Sequence, residues 1–335
     1  MPALGEHTGS PLHLGIHWQT PLQCDSLMVH DGHPLISVIV VSFSNAEYLA
    51  ETIESVYAHQ TYQPLELILV DNASHDNTSK IARRYVDRGL ILIENKENRG
   101  FSGGNNDGIR RSQGEIILLL NPDAVLQPGA LEAIAEGFAR DDRVGVIGCK
   151  IYDMDGETLQ HCGGWVDDHG QCDHYGRGEK DLGQYDEPRE VEYVTGAAFA
   201  MRRSLAEELG GLDEDYRPAY FEETDFCKRT IKRGHKVLYL PTAKVLHHEA
   251  VSLTANSERF LNLFNRNRLR YVMKNTNPLR LFFRFLPREF LWAISEKSKG
   301  ARRPLLRAYL AAVPFYLRLV GRALIGRLRK NYLRP

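Results

Sequence analysis

Ile116–Val125, IILLLNPDAV, is an unbroken apolar run that stops at an acidic turn. Branched apolar residues in succession describe a strand buried on both faces, as a central strand of a parallel sheet is. Asn121, Pro122 and Asp123 end it. Open α/β sheets bind ligands beyond the carboxyl ends of their strands, and a carboxylate delivered there can hold a divalent cation carrying phosphate oxygens. Taken alone, the same three residues also make an ordinary strand-to-helix turn. The flanking sequence has to separate the two readings.

Upstream, Ile36–Val41 is a second strong strand signal, followed by Ser42-Phe43-Ser44-Asn45 and a helical apolar spacing over Tyr48–Ala58. Leu65–Val70 repeats the strand and stops at Asp71-Asn72-Ala73-Ser74, before a helix expected over Thr78–Arg88. A short strand is expected over Gly89–Glu94, a helix over Gly104–Ser112, and the fourth strand over Ile116–Leu120. Strands alternating with helices predict an α/β fold with a mainly parallel sheet flanked by helices. Asp71 is placed to accept a hydrogen bond from a base N–H, and equally to close an Asx turn or cap a helix. The segment Asn98-Arg99-Gly100-Phe101-Ser102-Gly103-Gly104-Asn105 supplies paired glycines before a helix, a combination that lets backbone approach phosphate. It is neither a dinucleotide GxGxxG fingerprint nor a P-loop.

In this order and spacing, VIVVSFSN, LVDNASHDNTS, NRGFSGGNNDGI and LLLNPDAV resemble the family-2 glycosyltransferases of the GT-A fold, in particular the branch with bacterial rhamnosyltransferases. The resemblance spans about Ile36 to Lys274 and implies an inverting transfer of sugar from a nucleoside diphosphate donor. By the same resemblance Asp123 binds Mg²⁺ or Mn²⁺ at the diphosphate, with Asn121 standing where the commoner motif has its first Asp. It further assigns Ser42, Phe43, Asp71, Asn98, Gly100, Gly103, Gly104, Asn105, Asn121 and Gly196 to donor binding.

Ile151–Glu190 is rich in Gly, Asp and His with weak periodicity and reads as a variable loop over the donor. His161 with Cys162 or Cys172 could hold a metal, but the spacing fits no ligand pattern and loop polarity explains it as well. Val191–Arg202 reads as a strand around Thr195-Gly196-Ala197. The cluster Glu222-Glu223-Thr224-Asp225 then opens a helix, where acids complement the dipole in any case. A hydroxyl attacking an anomeric carbon must lose its proton, and a carboxylate is the usual acceptor. The family's E-D-x-D motif sets Glu223 at the base, with Glu222 as its rival and Asp225 orienting the acceptor or capping structure. The match of Val245–Ser252 to V-x-H-x-x-G-x-S favours His247 over His248 as a metal or diphosphate contact, with Ala250 in place of the usual Gly.

The 335 residues hold 42 Lys and Arg against 43 Asp and Glu, a balance that argues against a general nucleic-acid binder. Five cysteines without a CxxC pair suggest neither a zinc site nor a disulfide framework, and a reducing cytoplasm is the simpler setting. No secretory leader and no apolar run long enough to span a bilayer are evident. Residues 1–34 read as an extension, 35–258 as the catalytic domain, and 259–335 as basic amphipathic helices. From Leu279 onward Glu289 and Glu296 are the only acids among many arginines, so these helices suit an anionic membrane surface, or else pack on the domain or on a second copy. The expected function is transfer of a sugar, first of all L-rhamnose from dTDP-rhamnose, to a hydroxyl of a glycan or lipid-linked glycan, at the inner face of the cell membrane. UDP-galactofuranose, UDP-glucose, UDP-GlcNAc and GDP-mannose are alternative donors. A silent sugar-nucleotide-binding subunit of a glycan assembly complex is the alternative class, and a homo-oligomer is compatible with either.

Overall fold

A computed structural model describes residues 32–58, 61–248, 257–295 and 302–332, with residues 322–332 given by backbone alone. The expected extension therefore lies almost wholly outside the described residues, as do Ala250 and Ser252.

The first half of the chain runs β1 (Ile36–Ser42), α1 (Ala46–Tyr57), β2 (Leu65–Asp71), α2 (Thr78–Arg83), β3 (Ile91–Glu94), α3 (Gly100–Arg111) and β4 (Ile116–Leu120). Next come β5 (Ala124–Leu126), α4 (Ala130–Arg140), β6 (Val144–Tyr152), and four short strands, β7 (Leu159–His161), β8 (Gly164–Val166), β9 (Cys172–His174) and β10 (Arg189–Glu190). β11 (Ala198–Arg202), α5 (Arg203–Leu209), α6 (Glu222–Lys232) and β12 (Lys236–His247) complete the body. The helices α7 (Glu258–Asn275), α8 (Pro278–Arg280), α9 (Leu286–Ile294) and α10 (Arg302–Tyr332) follow, with a π-helical turn, Leu281–Phe285, between α8 and α9.

The main sheet has the order β10-β12-β6-β11-β4-β1-β2-β3. Its β4-β1-β2-β3 half is parallel, as the alternation of strands and helices predicts. Beyond it β11 lies antiparallel between β4 and β6, so the whole sheet is mixed. Alternate residues of β4 point to opposite faces. Leu118 and Leu120 share one core with Leu49 and Ile53 of α1 and Leu131 and Ile134 of α4, while Ile117 and Leu119 share the other core with Ile109, Leu205 and Phe226. Both faces are covered, hence the unbroken apolar run.

Two local expectations are corrected. The helix expected from Gly104 begins at Gly100, so Gly100 to Gly103 lie inside α3 and not in a loop. A Cβ on Gly104 would fall 2.6 Å from Val41 Cγ1, so this glycine lets α3 settle onto β1. The helix expected over Thr78–Arg88 stops at Arg83 and gives way to a 3₁₀ turn, Val86–Arg88, closed by Gly89 at φ +93°. Within the segment read as a loop, β7 to β10 supply short ladders, and β6, wholly buried, runs into it.

α7 is built into the body. Asn267 Nδ2 donates to the carbonyls of Ala219 at 2.8 Å and Tyr220 at 3.0 Å, and Arg268 is fully buried. The boundary expected at 258/259 falls at a helix start and not at a gap in packing. Leu281, Phe285 and Ala308 share a core with Tyr216, Leu269 and Val272, which seats the π-helical turn and α10 on α7. Among the described residues no helix is long and apolar enough to cross a membrane.

Candidate active site

The turn after β4 is pinned from two sides. The Asn121 amide donates to the Ala197 carbonyl at 2.9 Å, and the Thr52 hydroxyl to the Pro122 carbonyl at 2.9 Å. The chain then enters β5, which pairs antiparallel with the end of β12, Ala124 opposite His247. That ladder carries His247 to Asp123, and the His248 amide donates to the Asp123 carbonyl at 3.1 Å. His247 Nε2 lies 3.3 Å from Asp123 Oδ1 and 3.2 Å from Asn121 Nδ2. Both side chains are nearly closed off from solvent, at 11% and 6% exposure. An imidazole nitrogen and a carboxylate oxygen converging at this distance suit a divalent cation such as Mn²⁺ or Mg²⁺. Among the described residues no group of three His, Cys, Asp or Glu converges, so such an ion would take its other ligands from a bound diphosphate and water. The residues present therefore fit the ion expected from the sequence. Gln160, absent from the sequence expectations, contacts His247 at both ring and carbonyl.

Of the expected donor residues, Ser42, Phe43 and Asp71 lie at the ends of β1 and β2, Asn121 follows β4 and Gly196 precedes β11. Ser42 is buried with its hydroxyl unpartnered among the described residues, and Phe43 is 42% exposed with its ring against His75. Asp71 is buried; Oδ1 accepts from the Ser74 amide at 2.9 Å and Oδ2 from the Ser79 hydroxyl. The Asx turn is thus formed, with lone-pair capacity left over. Asn72 is the fastener here: Nδ2 donates to Asn98 Oδ1 at 3.1 Å and to the Gly100 carbonyl at 3.1 Å. Asn98 Oδ1 also accepts from the Gly100 amide at 2.7 Å. Gly100, at φ +72°, leaves no room for a Cβ, which would meet the Pro218 carbonyl oxygen at 2.7 Å. Gly196 makes space for Phe101, whose ring would stand 2.8 Å from a Cβ there. Asn105 is buried and donates to the Phe101 carbonyl at 3.0 Å. Gly103 faces Arg99 and Gly104 faces Val41, so a Cβ on either would meet protein.

α6 returns to β12 through only three residues, Arg233 to His235, and therefore runs antiparallel to it. Its N-terminus, with Glu222 and Glu223, consequently lies toward the sheet edge where β4 and β12 end. Tyr220 and Phe221 enter the helix with φ of +77° and +76°, a strained pair that Asn267 holds through the Tyr220 carbonyl. Burial drives the Glu222 carboxyl well above its ordinary range, with the neighbouring Glu223 charge adding to the effect, and among the described residues one of its oxygens has no partner. Burial likewise lifts Glu223 to about 7, yet Glu223 retains partial exposure where Glu222 has almost none. Asp225 is tied down: Arg229 Nε donates at 2.7 Å, Asn275 Nδ2 at 2.7 Å and the Tyr216 hydroxyl at 3.1 Å. Burial works against its charge, but Arg229 and these donors hold its carboxyl below the usual range, and it links α6 to α7.

His161 is fully buried and accepts from the Thr195 amide at 3.3 Å. Burial, then the proximity of His174, pulls its pKa well down, so it sits neutral as a support for the Thr195–Ala197 segment. Cys162 and Cys172 are free thiols.

The pattern of glycosyl transferase family 2 matches residues 37–210, more than half of the chain. The chain belongs to glycosyl transferase family 2. It is 29% identical to the uncharacterized protein y4gI of Sinorhizobium fredii over 69% of its length, but spans only 26% of that protein. It is 28% identical to the N-acetylglucosaminyl-diphospho-decaprenol L-rhamnosyltransferase of Mycobacterium tuberculosis, over 65% of this chain and 77% of that one. Among solved structures, the mannosyltransferase PcManGT of Pyrobaculum calidifontis, in complex with GDP-Man and Mn²⁺, superposes with a TM-score of 0.53 at 19% identity, over 90% of this chain and 82% of that one. The fold of this family-2 transferase is therefore GT-A.

Proposed function

We propose that this family-2 enzyme transfers a sugar with inversion from a nucleoside diphosphate donor, first of all L-rhamnose from dTDP-rhamnose, to a hydroxyl of a glycan or lipid-linked glycan. The observation that carries the proposal is the convergence of Asp123 and His247 at the end of β4. A divalent cation held there neutralises charge on the leaving diphosphate. Glu223 takes the proton of the acceptor hydroxyl as its oxygen bonds to the anomeric carbon, and the bond from that carbon to the diphosphate oxygen breaks with its electrons. Lifted to about 7, Glu223 is matched to proton transfer at neutral pH. Burial and the neighbouring Glu223 charge favour the neutral form of Glu222, which leaves the base role to its more exposed neighbour.

Similarity to the mycobacterial enzyme supports rhamnose as donor sugar and a lipid-linked acceptor, and the PcManGT complex supports nucleotide-sugar and Mn²⁺ binding. The exposed apolar side chains of α8 to α10, Phe283 and Phe290 among them, with exposed Arg280, Arg284 and Arg288, support attachment to the inner, anionic face of the membrane. A panel of nucleotide sugars screened by thermal shift with Mn²⁺ tests the donor. dTDP-rhamnose is expected to raise the melting temperature most, because a ligand of the folded state stabilises by mass action. A larger shift with UDP-galactofuranose, UDP-glucose, UDP-GlcNAc or GDP-mannose would reassign it.

A further inference from the structure

Gln160 sits in β7, with β6 between it and β12. Along the β6–β7 ladder Ile151 pairs with His161 and Tyr152 with Leu159, which leaves Gln160 as the extra residue of a β-bulge. A bulge takes one residue out of the ladder and re-aims its side chain. Here the side chain is buried and reaches the last residue of β12.

The amide makes three hydrogen bonds. Nε2 donates to Asp153 Oδ1 at 2.6 Å and to the His247 carbonyl at 2.7 Å, and Oε1 faces His247 Nδ1 at 2.9 Å. Both protons of the amide nitrogen go to groups that can only accept. Turned over, the amide would set its oxygen against a carboxylate and a carbonyl, so these neighbours fix its orientation. An amide oxygen cannot donate, so the hydrogen of the third bond resides on His247 Nδ1. In the neutral ring the lone pair is then on Nε2, the atom 3.3 Å from Asp123 Oδ1. That is the tautomer a cation bound at Nε2 requires.

We propose that Gln160 is a positioning residue that clamps His247 by its ring and its carbonyl, presenting Nε2 beside Asp123 to the divalent cation. The inference rests on the metal site proposed above. Gln160 touches neither cation nor donor; Asp153 fixes the amide, and the amide fixes the imidazole.

Gln160→Met tests it, because Met keeps the length and removes all three hydrogen bonds. Two measurements on the full-length protein decide. Long-range ¹H–¹⁵N spectra without metal, with the signal assigned by comparison with His247→Ala, should show the Nδ1–H tautomer in the native protein and its loss in Gln160→Met. Mn²⁺ titration with UDP present should show affinity about 10–100-fold weaker in Gln160→Met, with kcat recovered at saturating Mn²⁺. Should Gln160→Met not fold, Asp153→Ala, which frees the amide to turn, should move both readouts in the same direction. Unchanged tautomer and unchanged Mn²⁺ affinity in a folded variant overturn the inference. Weakened Mn²⁺ binding in His247→Ala but not in Gln160→Met overturns the positioning role alone, whereas native affinity in both overturns the metal site and the inference with it.

Discussion

Arg268 of α7 and Glu289 of α9 form an ion pair in the interior, Arg268 Nη1 3.0 Å from Glu289 Oε2, with Arg268 wholly and Glu289 almost wholly buried. The Tyr309 hydroxyl of α10 donates to the same carboxylate at 2.7 Å, so one acid fastens three helices. A basic stretch that looks detachable in sequence is thereby locked to the transferase body.

Removing one partner of a buried pair leaves the other charged and desolvated, so Glu289→Ala is expected to cost about 3–5 kcal/mol. Burial opposes the charge of Glu289, but the Arg268 guanidinium holds its carboxyl below the ordinary value of 4.5. A depressed carboxylate contributes stability that is full above its unfolded pKa and fades as pH falls through the folded one. Urea denaturation should therefore show the gap between native protein and Glu289→Ala at neutral pH and its narrowing below about pH 4. A gap that is the same at pH 7 and pH 3 would contradict the pairing.

Glu223→Gln should lower kcat by roughly 10²–10⁴-fold while leaving donor affinity within about twofold, since only proton transfer is lost. The base acts in its ionised form, so kcat/KM of the native enzyme should rise with pH up to about 7 and level off above it. Donor binding by calorimetry and initial rates across pH 5 to 9 check both. A profile flat through this range, or turnover in the variant, would move the base elsewhere.

Eleven large apolar residues between Leu279 and Leu317 are exposed, including Phe283 at 80% and Leu310 at 68%. Every arginine beside them in α8 to α9, at positions 280, 284 and 288, is exposed as well. Vesicles containing phosphatidylglycerol should bind the native protein at least about tenfold more tightly than phosphatidylcholine vesicles, and Phe283→Glu with Phe290→Glu should remove most of that binding. Point changes on this face avoid stranding Arg268, which truncation would do. Equal cosedimentation of the double variant would point to another copy of the chain or to another surface.

Much of the parallel half of the sheet was legible because its signals are local. ISVIVV, LELILV and IILLL each bury both faces, and their run lengths and bounding turns name them as strands without tertiary knowledge. The start of α3 was misplaced because Gly100 and Gly103 look like loop residues, and only the fold shows that the missing side chains of Gly104 and Gly108 admit Val41 and Ile39 of β1. Gln160 was invisible: a glutamine in a Gly- and His-rich stretch carries no period, and only the bulge turns it toward His247.

The sequence by itself determined the parallel strands, the carboxylate at the end of β4 and the acidic entry to α6, since each follows from residues close together along the chain. Tertiary structure alone decided that Asp123 meets His247, because a strand pairing between β5 and β12 closes that distance. It also separated the three acids, through differences in burial and partners: Glu222 shut in, Glu223 reaching solvent, Asp225 bound to Arg229. Side-chain burial depends on contacts between distant segments, and no local pattern encodes it.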